Sequence, residues 1–140
     1  GLAPHMPADS DEELREILAL ESVAVVGCSA TPGKDAHDIP RYLLDHGYEV
    51  VPVNPFADEV FGRTAYDSLS EVPDEVDIVD VFRPSEEVSG IVDEALGRED
   101  AGVIWTQLGI RDDEAAARAE AAGKRVVQDL CIKVEHQRLM

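Results

Sequence analysis

Hydrophobic positions along the chain alternate between short continuous runs and segments with helical spacing. Val23-Ala24-Val25-Val26 is an unbroken apolar run that ends at Gly27. Such a run suits a central strand of a parallel sheet, buried on both faces. Glu49–Val53, Val76–Phe82, Val103-Ile104-Trp105 and Arg125–Gln128 read as further strands. Pro52 cannot donate to a ladder, so it is expected close to its strand's end. Gly62–Tyr66 reads as a short edge strand and Ser68–Val72 as a helical turn.

Between these runs the period changes. Ser10-Asp11-Glu12-Glu13 is a capping box, and Leu14, Ile17 and Leu18 follow at helical spacing. A Gly/Ser/Pro loop, Gly27 to Gly33, leads to a helix expected over residues 36–46, stopped by Gly47. Pro40 fits that helix only in its first turn. Val88, Ile91, Val92, Ala95 and Leu96 share one helix face, closed by Gly97. An Ala-rich helix is expected from Asp112 to Gly123, and a short C-terminal helix after the last strand. The βαβ alternation predicts a single α/β domain: a Rossmann-like, doubly wound, mostly parallel sheet with right-handed crossovers. In the strand order 3-2-1-4-5-6, the switch point lies between the strand ending at Gly27 and the strand ending at Phe82. Ligands bind in that crevice, beyond the carboxyl ends of the strands.

The 140 residues make one ordinary domain. Residues 1–6 read as a remnant of cloning, and 7–140 as the domain. No apolar run approaches the roughly 18 residues of a membrane span. The N-terminus lacks the basic and apolar regions of a secretory signal. A cytoplasmic location, with Cys28 and Cys131 as reduced thiols, is the expectation. No Cys/His cluster has zinc spacing. Charge changes the picture most. Thirty acidic residues face twelve basic ones, for a net charge of −18, and they are spread along the whole chain. Such a surface repels nucleic acid and anionic membranes. It suits a halophile's protein, whose self-repulsion is relieved by salt.

The strongest local feature is Val26-Gly27-Cys28-Ser29-Ala30-Thr31-Pro32-Gly33-Lys34, between the first strand and the first crossover helix. A loop there can aim backbone N–H groups and a helix N-terminus at phosphate. Lys34 adds a fixed positive charge. A nicotinamide site would want G-x-G-x-x-G, where this loop has Ser29 and Pro32 at the second and third glycine positions. It would also want an acid at the end of the second strand, where Val53-Asn54-Pro55 stand. Asn54-Pro55 offers instead a rigid, uncharged turn against which an adenine can lie. Phe82-Arg83-Pro84 puts a guanidinium at the mouth of the crevice, suited to a phosphate or to one of the many acids. Thr106-Gln107-Leu108-Gly109-Ile110 follows the next strand at the same end of the sheet, and Gly109 permits close backbone approach. Cys28 would be activated by a helix N-terminus, although a free cysteine also serves as a small buried hydrophobe.

These motifs resemble the family of small stand-alone CoA-binding proteins. The resemblance rests on Val-Val-Gly-Cys-Ser with Pro32 and Lys34, Gly47-Tyr48, Pro52-Val53-Asn54-Pro55, Asp80–Pro84, Trp105–Ile110 and Cys131–His136, across about residues 12–139. The family is similar to the N-terminal CoA-binding domain of the succinyl-CoA synthetase alpha subunit. The resemblance implies a site for coenzyme A, or an acyl-CoA, formed by Gly27, Ser29, Ala30, Thr31, Pro32, Lys34, Asn54, Pro55, Phe82, Arg83, Thr106, Gln107 and Gly109. The synthetase's lysine after its second-strand turn has no match, since Ala57-Asp58-Glu59 stand there. The synthetase's second domain, with its phosphorylated histidine, has no counterpart in this length, and His136 lacks the glycine-rich loop of such a site. The expected function is non-catalytic binding of CoA, as carrier, sensor or partner subunit, with a protein partner or a homo-oligomer left open. The alternatives are an NAD(P)-binding or CoA-ligase-related enzyme needing a separate subunit, and an interaction module indifferent to nucleotides.

Overall fold

The computed structural model describes residues 10–140, so residues 1–6 lie outside the described part. Its elements in chain order are α1 (Asp11–Leu18), β1 (Ser22–Val26), α2 (Asp35–Asp45), β2 (Glu49–Val53), β3 (Glu59–Val60) and β4 (Arg63–Thr64). There follow β5 (Ile78–Val81), α3 (Val88–Leu96), β6 (Val103–Thr106), α4 (Asp113–Ala121), β7 (Arg125–Val127) and α5 (Ile132–Leu139). Short 3-10 turns lie at Leu69–Glu71 and Ser85–Glu87.

Five strands form one parallel sheet in the order β2-β1-β5-β6-β7. Because successive side chains point to opposite faces, each strand feeds two cores. Ala24, Val26, Val79, Val81 and Ile104 pack beneath α3 and α4. Val23, Val25, Ile78, Val103 and Trp105 pack beneath α1, α2 and α5. Both faces are covered, which is why these strands read as unbroken apolar runs. The α1 cap forms as expected: Ser10 Oγ accepts the Glu13 N–H.

The expected edge strand over Gly62–Tyr66 is replaced by other structure. Arg63 and Thr64 pair antiparallel with Val60 and Glu59 in a separate hairpin. Phe61 and Gly62 form its two-residue turn, with φ of 57° and 71°. Positive φ at both turn positions matches the right-handed twist of the strands, and a phenylalanine there hides the signal from a sequence reading. What remains of the outer strand is one parallel bridge, Val53 to Tyr66. The sheet thus has the expected order without its outermost strand.

Pro52 lies close to the end of its strand as expected, Pro40 stands deeper in its helix than expected, and the surroundings of each show how it is tolerated. Pro52 is the fourth of the five residues of β2, an edge strand of the sheet. Its carbonyl accepts the Tyr66 N–H on the side away from β1, so its missing donor costs the central ladder nothing. Pro40 is the sixth residue of α2, beyond the first turn. It deprives the Ala36 carbonyl of its helical partner. That carbonyl accepts instead the N–H of Ser29, at 2.9 Å.

Candidate functional site at the switch point

A cleft of about 590 Å³ opens beyond the carboxyl ends of β1, β2 and β5. Gly27, Ser29, Lys34, Asn54, Pro55, Phe82 and Arg83 line it, together with Phe56 and the acids Asp67, Glu87 and Glu94. Val26, Val53, Leu69 and Ile91 supply apolar wall. This is the crevice expected for a doubly wound sheet.

Gly27 is required twice over at the start of the loop. Its φ is +90°, a conformation that L side chains rarely adopt. A Cβ there would also stand 2.8 Å from Arg83 Cδ and 3.3 Å from the Phe82 carbonyl carbon. The stem of Arg83 therefore lies across the bare backbone of the loop. The rest of the loop is braced internally. Ser29 N–H is held by Ala36 O, Thr31 N–H by Ser29 Oγ at 3.0 Å, and Gly33 N–H by Asp38 Oδ1 at 3.1 Å. Asp38 also accepts from His37 Nδ1, and these two bonds hold its carboxyl below the usual range. The amides of Asp35 and Ala36, in the first turn of α2, have no helical acceptor and point to the helix's positive end. Lys34 is the N-cap residue, and among the described residues it has no ion-pair partner.

On the β2 side, Asn54 fixes the turn. Its Nδ2 donates to the Cys28 carbonyl at 2.9 Å, and its Oδ1 accepts the Phe56 N–H at 2.8 Å. Both ends of the amide are thus spent on holding two loops in register. Across the cleft, Arg83 is engaged by Glu87. Nε lies 3.2 Å from Oε1 and Nη2 lies 2.7 Å from Oε2. That bidentate bond pushes the Arg83 pKa up and the Glu87 pKa down. The guanidinium reaches the cleft already neutralised, as the acid-pairing reading of its position has it. Glu94 is committed too, accepting from the backbone N–H and the hydroxyl of Ser70.

The remaining residues of the expected site stand elsewhere. Ala30, Thr31 and Pro32 are exposed on the loop and do not line the cleft. Thr106 is buried, its hydroxyl donating to the Ile110 carbonyl and accepting the Asp129 N–H. Gln107 is buried between Asp80 and α5: Nε2 donates to Asp80 Oδ1 at 2.6 Å, and Oε1 accepts the Ile132 N–H at 3.3 Å. The Gly109 N–H goes to Asp129 Oδ1. The side-chain bonds of Thr106 and Gln107 thus run within the protein, one strand beyond the switch point, while Leu108 and Gly109 are exposed. Phe56, Asp67, Glu87 and Glu94 line the cleft without belonging to the expected site. Of these, Glu87 was findable, since it stands four residues after Arg83.

Cys28 lines the cleft, but its side chain is buried. Burial, aided by the nearby Asp80, pushes its thiol up to about 12. The activating effect expected from the α2 N-terminus is overridden, and the residue behaves as a small hydrophobe. His136 Nδ1 bonds the Tyr42 hydroxyl at 2.6 Å, joining α5 to α2. Among the described residues, no group of three His, Cys, Asp or Glu side chains could hold a metal ion, and no helix is long and apolar enough to cross a membrane.

The family model of a CoA binding domain matches residues 21–137. The chain is 42% identical over 132 residues to the uncharacterized protein YneT of Bacillus subtilis, covering 94% of this chain and 97% of that one. It is 40% identical over 125 residues to the alpha subunit of acetate–CoA ligase (ADP-forming) I of Pyrococcus furiosus, covering 84% of this chain and 25% of the subunit. This chain thus corresponds to about a quarter of that subunit. Among solved structures, a hypothetical protein from Pyrococcus horikoshii superposes with a TM-score of 0.89 at 38% identity, covering 99% of both chains. With the fold, the cleft at the switch point and a family match across most of the described residues, this chain belongs to the CoA-binding domain family.

Proposed function

We propose that this chain binds coenzyme A, or an acyl-CoA, in the cleft beyond the ends of β1, β2 and β5, as a carrier, sensor or partner subunit without chemistry of its own. The observation that carries the reading is that the family's first-loop and second-strand motifs meet along one cleft. Lys34 and the first-turn amides of α2 supply its positive side. Asn54 directly follows β2, where a dinucleotide site would place a ribose-binding acid, and both ends of its amide are occupied. That disfavours NAD.

Calorimetry tests this directly. CoA is expected to bind in the micromolar range and NAD more weakly; tighter binding of NAD would overturn the reading. Lys34→Ala is expected to weaken CoA roughly ten- to a hundredfold, the value of one charge-assisted hydrogen bond. Its melting temperature should stay unchanged, because the side chain is exposed. Arg83→Ala should have a smaller effect, since Glu87 already neutralises that guanidinium.

A second reading, in which the chain works with a separate subunit of a CoA ligase, is favoured by the ligase relatives. Turnover of acetate, CoA and ATP by the purified chain alone would replace the carrier reading with an enzymatic one.

We further propose that the acidic surface is an adaptation to high salt. The net charge of −18 creates a repulsion that screening relieves. The melting temperature should rise by many degrees between roughly 0.1 M and 2 M KCl. Equal melting temperatures would remove the halophilic reading.

A further inference from the structure

We propose that Phe56 is the platform on which the adenine ring of the bound nucleotide stacks, an inference that rests on the CoA reading and gives it a base-recognising residue. Phe56 is 96% exposed, more than any other large hydrophobic residue described in the chain. Leaving a phenylalanine in water forgoes about 1.5 to 3 kcal/mol of burial, and this one contributes nothing to either core. Yet its position is fixed. It follows Pro55, whose ring restricts the backbone, and its N–H is tied to Asn54 Oδ1. The same Asn54 side chain is anchored to the carbonyl of Cys28 in the opposite loop. The ring is therefore presented on a braced turn at the rim of the cleft.

Charge decides which part of a ligand this rim meets. Glu87 and Glu94 line the α3 side of the cleft. Lys34 and the first-turn amides lie on the α2 side, next to β2. Phosphates are favoured on the α2 side, and the base joined to them through one ribose falls toward the end of β2. In doubly wound sheets the end of the second strand is where the adenosine of a nucleotide is held. Any base offers a flat π-face to an aromatic ring, with a worth of about 1 to 3 kcal/mol per stacked base.

The test compares the wild type with Phe56→Ala and Phe56→Trp by calorimetry against three probes: CoA, adenosine 3′,5′-bisphosphate and 4′-phosphopantetheine. Phe56→Ala is expected to weaken CoA and the bisphosphate by the same factor, about five- to a hundredfold, and to leave phosphopantetheine unchanged. Phe56→Trp should keep or improve the binding of both adenine ligands, with its fluorescence quenched on saturation. Full exposure of the side chain means that neither variant disturbs the core. Unchanged affinity of Phe56→Ala for CoA would overturn the inference and leave the CoA site standing. Loss confined to phosphopantetheine and CoA would also overturn it, assigning the ring to the pantetheine arm. If the wild type binds none of the three probes, the CoA reading itself fails.

Discussion

Asp80→Asn is expected to gain stability relative to the wild type as the pH rises from about 4 to about 7. Asp80 stands on β5, fully buried, facing the α2 and α5 side of the sheet in register with Val25 and Trp105. Gln107 donates to its Oδ1, while its Oδ2 has no hydrogen-bond partner among the described residues. Burial pushes its carboxyl up to about 7, against an ordinary value of 3.8, and the bond from Gln107 only partly opposes this. The folded chain therefore holds a proton that the unfolded chain has released between those two values. The stability that Asp80 contributes is full below about 4 and falls as the pH rises toward 7, because the unfolded state binds fewer protons at this group. A shift of about three units corresponds to roughly 4 kcal/mol. In the Asp80→Asn variant the amide oxygen would still accept from Gln107, and the side chain carries no proton to lose. Any fixed cost of the buried amide is independent of pH, so the slope of the difference isolates the titration. Urea unfolding of both proteins at several pH values measures it. A difference that stays constant with pH would show that Asp80 ionises normally inside the fold.

Arg98→Ala is expected to destabilise the protein by roughly 3 to 5 kcal/mol, the cost of breaking a largely buried charge pair. Arg98 follows α3, at the end of the sheet opposite the cleft. Its Nε and Nη2 each lie 2.8 Å from a carboxylate oxygen of Asp100. Nη1 donates to the carbonyls of Leu69 and Val72, and Nη2 to that of Asp74. One guanidinium thus fastens the segment between β4 and β5, which carries no long helix of its own. Asp100 in turn accepts the Val76 N–H, and Lys124 Nζ donates to the carbonyls of Asp100 and Ala101. Removing Arg98 leaves the Asp100 charge, only 19% exposed, without its guanidinium and takes a donor from the carbonyls of Val72 and Asp74, while that of Leu69 keeps the Val72 N–H. Denaturant unfolding measures the loss, and Arg98→Lys should recover only part of it, because an ammonium lacks the fork geometry. A loss below about 1 kcal/mol would show that water replaces the guanidinium.

The alternation of apolar runs and helical spacing was enough to fix the class of fold and the position of the crevice. A parallel sheet covered on both faces demands such runs, and the change of strand order places the ligand cleft. The first loop and the Asn54-Pro55 turn were legible for the same reason: each directly follows a strand that ends at the switch point. What escaped the sequence depended on partners distant along the chain or on unusual turn chemistry. Phe61 at positive φ turned an expected edge strand into a hairpin. Pro40 deep in α2 is tolerated because the carbonyl it orphans finds Ser29. Thr106, Gln107 and Gly109 have the residue types of a site, yet their hydrogen bonds run to Ile110, Asp80, Ile132 and Asp129. A polar side chain's role is set by which donors and acceptors the fold brings within about 3 Å of it. Sequence patterning records burial and period, which are local and repeated. The pairing of single polar atoms is neither, so only the tertiary structure decided it.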